Sequence, residues 1–144
     1  MSSGPSVPVP PGFEPFGLPS RFVERLGPLY VDRRHARLGL VTTDRLANIG
    51  GVVHGGALAT LADVALFVIA GHGKVTRDMV TLTLASSYLA PAPLGAFVVA
   101  EGRVARAGRS VVFVDGQVVG EDAAPLLTFS GTIKRVRPAR AAPL

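Results

Sequence analysis

The run Gly55 to Ala70 constrains this chain more than any other segment. It contains no proline, is dominated by Ala and Leu, and so predicts a helix. Leu58, Leu61, Ala62, Ala65, Leu66 and Ile69 mark one face. Val64, Phe67 and Val68 carry the apolar surface around the rest. A helix apolar on every side must be covered on every side. This one falls short of the about 20 apolar residues that a membrane span needs, and it holds Asp63 near its middle, so a bilayer is not the expected cover. The rest of the chain is.

The C-terminal half of the chain has the pattern to supply that cover. After Gly71-His72-Gly73 the apolar period drops to two, and Met79–Leu89, Phe97–Ala105, Ser110–Val119 and Leu126–Val136 read as four strands. Breaks fall at Pro91-Ala92-Pro93-Leu94-Gly95, at Ala107-Gly108-Arg109, and from Gly120 to Pro125. Connections that short predict antiparallel neighbours in a meander, because a parallel crossover needs a dozen or more residues. Before the helix, Phe22–Val31 and Ala36–Thr43 read as two modest strands, and a loop over Asp44–Val53 leads from them into it. The expected class is α+β, with a sheet curled around one long central helix. Met1–Pro19 is rich in Pro, Ser and Gly and reads as a flexible lead or a short docking segment. The domain then spans residues 20–137, and 138–144 form a flexible tail.

At 144 residues and 48% hydrophobic, the chain has material for one well-filled core rather than two. It has no cysteine, which removes disulfides, thiolate metal sites and a cysteine nucleophile together. The three histidines and the acids show no metal-ligand spacing. The first twenty residues carry no Lys or Arg and are broken by prolines, so no secretory leader is read there and the cytoplasm is the expected location. The net charge of +5 favours anionic partners. No basic stripe interleaved with aromatics accompanies it, so a phosphorylated small molecule fits better than nucleic acid. Gly71-His72-Gly73-Lys74 lacks the spacing of a phosphate loop, and no serine elbow is present.

Two features then point to chemistry. Asp63 is the only charged residue between Arg45 and Lys74, and a carboxylate in such surroundings needs a partner, a cleft or a proton. Either it braces the structure or it marks a site. His54-Gly55-Gly56 opens the same helix, where unpaired backbone N–H groups and the positive end of the dipole suit a developing oxyanion. The plainer reading is that two glycines only turn the loop into the helix. Gly55 and Asp63 lie eight residues apart, roughly 12 Å along the axis. A base and an oxyanion donor for one carbonyl must both come within about 3 Å of it. A single subunit cannot arrange that, whereas two antiparallel copies of the helix can, so a site built from these residues requires at least a dimer.

The run from Asn48 through Ile49-Gly50-Gly51-Val52-Val53-His54-Gly55-Gly56-Ala57-Leu58-Ala59-Thr60-Leu61-Ala62 to Asp63 resembles the signature of hotdog-fold thioesterases of the phenylacetate-degradation (PaaI-like) type. The similarity extends from about Phe22 to Val136. It implies a six-stranded antiparallel sheet around a central helix, assembled into dimers and usually tetramers. It also implies hydrolysis of acyl- or aroyl-CoA thioesters without metal or prosthetic group, CoA being part of the substrate. On this resemblance Asp63 is general base or nucleophile, and Gly55 offers its N–H to the carbonyl oxygen. Asn48 and His54 orient substrate or water, Thr81 positions the hydrolytic water, and Gly56 belongs to the substrate-binding set. Arg106, Arg109 and Ser110, flanking the Ala107-Gly108 turn, are where relatives hold the CoA head group. Relatives that use a helix Glu, and dehydratases with another acid/base pair, are disfavoured because no Glu lies in this helix. A non-catalytic acyl-CoA-binding or regulatory module is the remaining alternative.

Overall fold

The computed structural model describes residues 6–136; the expected tail at 138–144 and the first five residues lie outside that range. Its elements in chain order are β1 (Glu14–Pro15), a 3-10 turn (Val23–Leu26), β2 (Leu29–Asp32), β3 (Arg37–Val41), a second 3-10 turn (Asp44–Leu46) and α1 (Gly55–Ala70). Then come β4 (Met79–Tyr88), β5 (Phe97–Ala107), β6 (Val111–Val119) and β7 (Pro125–Arg135). All strands share one sheet in the order β1-β2-β3-β5-β6-β7-β4, every neighbour antiparallel. The sheet wraps most of the central helix: Leu61, Ala62, Ala65, Leu66 and Val68 of α1 have no exposed surface. Val98, Val114, Leu127 and Ile133 of the sheet are equally buried. The stripe of Gly56, Ala59, Thr60, Asp63 and Phe67 stays partly open, so, against expectation, the helix is not covered on every side.

Two expectations about the strands are corrected. Phe22–Leu26 is no strand. Val23 and Leu26 sit three residues apart, the spacing at which one tight helical turn buries both, and Gly27 (φ 109°) with Pro28 ends that turn before β2 begins. Nor do the four later strands form a simple meander. β5, β6 and β7 do, but β4 pairs with β7 at the far edge and β5 pairs with β3. The connection from β4 to β5 is not a hairpin because it is anchored elsewhere. Pro93 O accepts the Thr42 hydroxyl at 2.8 Å, Ala92 O accepts the Val53 N–H at 3.0 Å, and Ala92 is buried. Pro91 and Pro93 lack the N–H groups a ladder would need.

The Pro-rich lead contributes the seventh, two-residue strand and docks from Phe13 onward. Val98 and Ala100 face the helix, so Phe97 points to the opposite face of the sheet. There it meets the edge of the Phe13 ring, centroids 5.1 Å apart. Phe16 and Leu18 pack on the core margin, and Glu14 accepts from Arg33 Nε at 2.6 Å. Among the described residues no helix is long and apolar enough to cross a membrane.

Candidate active site

The loop before α1 is shaped by Asn48. Its side-chain oxygen accepts from Gly50 N (2.8 Å) and Val52 N (3.3 Å), an Asx-type turn that sets up the Ala47–Val53 bridge. His54 is the N-cap, its Nδ1 accepting the Gly56 N–H at 2.8 Å. An accepting Nδ1 leaves the proton of a neutral ring on Nε2. The Gly55 N–H has no hydrogen-bond partner among the described residues. It is one of the orphan donors that every helix start leaves.

Sequence reasoning missed Tyr88. Its hydroxyl donates to Gly55 O at 2.6 Å, bringing the end of β4 against the start of α1. The space a Cβ on Gly55 would fill lies 3.2 Å from Tyr88 Cε1, and a Cβ on Gly56 would lie 3.1 Å from His54 Nδ1. Both glycines thus admit side chains of this chain. Asn48, Val53, Gly55, Leu58, Tyr88 and Leu89 line a cleft of about 350 Å³ at this helix end. Apart from Asn48 and the Tyr88 hydroxyl, the side chains that line it are apolar.

Asp63 sits half-buried on α1, two turns along. Thr81 Oγ1 donates to its Oδ1 at 2.8 Å, while Oδ2 has no partner among the described residues. Thr81 reaches it because β4 carries a bulge at Leu82: Thr81 pairs with Ile133 but Thr83 with Thr132. The extra residue keeps Thr81 facing the helix and turns Leu84, Ser86 and Tyr88 to that same face. Without it the alternation from Thr81 would point Tyr88 away from Gly55.

Arg106, Arg109 and Ser110 lie exposed around the β5–β6 turn. Ser110 O accepts the Arg135 N–H at 2.7 Å, and Arg135 pairs with Met79, so this turn is at the end of the sheet where β4 begins. One chain therefore holds three separate groups: Asn48, His54, Gly55 and Gly56 with Tyr88; Asp63 with Thr81; and the basic turn. No group of three or more potential metal ligands occurs among the described residues.

Residues 50–125 match the family model described as the thioesterase superfamily. A protein of Pseudomonas aeruginosa named "Putative esterase PA0474" is 33% identical over 115 residues, spanning 76% of this chain and 85% of that one. The chain belongs to the thioesterase superfamily. Its hotdog fold is also that of PaaI from the E. coli phenylacetic acid degradation operon (22% identity, TM-score 0.64, 70% of this chain and 72% of that chain). A hypothetical thioesterase protein of Streptococcus pneumoniae TIGR4, solved with coenzyme A, matches at TM-score 0.68 and 19% identity over 80% and 93% of the two chains. The PaaI-like reading of Asn48–Asp63 and the helix-in-sheet expectation agree with this placement in the superfamily.

Proposed function

We propose that this thioesterase-superfamily member hydrolyses acyl- or aroyl-CoA thioesters, with each active site shared by two subunits. The observation that carries this reading is the pairing on one helix of a half-buried carboxylate held through one oxygen and an N–H with no partner among the described residues, roughly 12 Å apart. In the reaction Asp63 Oδ2 takes a proton from water as the water oxygen adds to the thioester carbon, or attacks that carbon itself. Gly55 N–H of the partner subunit holds the developing oxyanion. With water as nucleophile, collapse breaks the carbon–sulfur bond, frees the acid, and passes the proton held by Asp63 to the departing CoA thiolate. With Asp63 as nucleophile, collapse expels the thiolate and leaves an acyl–Asp63 anhydride, which water then hydrolyses to the acid and the free carboxylate, its released proton balancing the thiolate. Thr81 fixes the carboxylate, and the basic turn at Arg106 and Arg109 attracts the nucleotide phosphates. No metal or prosthetic group is needed.

The edge of β4 supports the shared site. It is ten residues long, has no strand on one side among the described residues, and leaves Val80, Leu82 and Tyr88 between 43% and 52% exposed. Such an edge invites pairing with another strand. A two-fold axis at Ala85 sets Leu84 opposite Ser86 of the partner subunit, keeping like faces together. Across the Leu82 bulge it brings Thr81 beside Tyr88 of the partner subunit, and with them Asp63 beside the partner's Gly55. Placing lysine at position 85 sets two like charges at that axis. Ala85→Lys is expected to shift the protein to monomer in sedimentation while circular dichroism stays unchanged, and hydrolysis should fall with the dimer. A monomer that keeps full activity would rule out the shared site.

The direct test is release of CoA thiol from a panel of acyl- and aroyl-CoA esters. Turnover is the expected result. Tight binding of the esters without turnover would instead make this a non-catalytic acyl-CoA-binding module.

A further inference from the structure

The first peptide unit of α1, Gly55–Gly56, is gripped at both ends. Its carbonyl oxygen accepts from Tyr88 at 2.6 Å and its N–H donates to His54 at 2.8 Å. A Gly-Gly peptide at a helix start is otherwise the most freely rotating unit available, since neither residue has a Cβ to restrict φ and ψ. Here the missing Cβ atoms are what let the two side chains close on it, as the 3.2 Å and 3.1 Å approaches indicate. The adjoining His54–Gly55 plane is held by its carbonyl, which accepts the Ala57 N–H at 2.9 Å; with the clamp on the second plane, both torsions at Gly55 are set, and so is the direction of its own N–H. That is the donor with no partner among the described residues.

We infer that Tyr88 is a positioning residue for hydrolysis, which together with His54 clamps the Gly55–Gly56 peptide so that the Gly55 N–H is aimed before substrate arrives. The inference rests on the proposed role of Gly55. An oxyanion donor contributes most when it needs no reorganisation as charge develops, and losing one costs about 10²–10³ in kcat. Loosening rather than removing it has a smaller effect. The clamp acts on the step in which charge reaches the carbonyl oxygen and not on CoA binding, so it belongs in kcat and not in KM. Tyr88 acts through Gly55 and needs no contact with the substrate.

The experiment compares wild type, Tyr88→Phe and Tyr88→Ala by steady-state kinetics on the best CoA ester and by amide hydrogen exchange at Gly56. Phenylalanine keeps the ring and removes only the hydroxyl, so the fold should persist; thermal denaturation and sedimentation verify this for each variant. In Tyr88→Phe, Gly56 exchange is expected to quicken about tenfold, the size of one modest hydrogen bond, and kcat to fall about tenfold with KM within twofold. Tyr88→Ala should lower kcat at least as far. Faster exchange with unchanged kcat would overturn the positioning role, since a merely structural bond behaves that way. Unchanged exchange would overturn the clamp. A wild type without turnover on any ester sinks the hydrolase reading separately, and the clamp then stands or falls on the exchange rates alone.

Discussion

Asp63→Asn is expected to lower kcat of the proposed hydrolysis by about 10²–10⁴-fold, the range for a lost general base, while leaving the fold and the proposed dimer intact. Asparagine keeps an oxygen for the Thr81 hydroxyl, so the 2.8 Å bond and the rotamer it holds should survive. What disappears is the basic oxygen that has no partner among the described residues. The stability change discriminates as sharply as the activity change. A half-buried carboxylate flanked on α1 by Ala62 and Val64 loses hydration that a neutral amide needs less, so the variant should melt at the same temperature or higher. Had Asp63 been kept to brace the fold or the interface, the substitution would lower the melting temperature or dissociate the dimer. A residue whose removal costs turnover and not stability is the signature of a site that trades stability for activity. Turnover matching wild type would refute the assigned mechanism and leave the fold untouched.

Much of this is legible in the sequence, and what is hidden has physical causes. The helix was plain because its apolar surface runs all the way round, from Leu58 to Ile69, and Asp63 stood out because nothing near it is charged. Two features were concealed by backbone irregularity. The Leu82 bulge breaks the two-residue period inside β4, so simple alternation puts Tyr88 on the wrong face. The partner of β4 was concealed because a short connection reads as a hairpin. What denies it is a pair of anchors distant in sequence, Thr42 to Pro93 and Val53 to Ala92, and no local pattern announces those. The role of Gly55 and Gly56 shows a third limit. A glycine records that something comes close without saying what does, and here it is a tyrosine 33 residues away and the neighbouring histidine.

Asp32→Ala is the substitution expected to cost most stability. Asp32 ends β2 with 2% of its surface exposed. Its Oδ2 accepts from Arg37 Nε (3.1 Å) and Nη2 (2.7 Å) and meets His35 Nδ1 at 2.8 Å, while Oδ1 accepts the His35 N–H at 3.2 Å. Burial pushes this carboxyl up, but the bonds from Arg37 and His35 outweigh it and hold the group at about 2, below its ordinary 3.8. Alanine leaves these donors without an acceptor under the β2–β3 turn. Breaking a buried pair costs about 3–5 kcal/mol, and the lower end applies because Arg37 stays partly exposed and can reach water. For a domain of this size that lowers Tm by about 10 °C, compared at one protomer concentration. The turn also holds the N-terminal segment: Arg37 lies over the Phe13 ring, and Arg33 joins Glu14 to the Gly73 carbonyl. Loss of order should therefore reach Phe13–Leu18 before it reaches α1. A depressed carboxyl sets the sign of the pH effect. Its contribution, about 2 kcal/mol, is fully present above about pH 4 and is lost as the pH falls towards 2. The stability gap between wild type and Asp32→Asn, read from denaturant midpoints, should accordingly close over that window. A gap that stays constant from pH 5 to pH 2 would mean that the packing of this side chain, and not its charge, secures the turn.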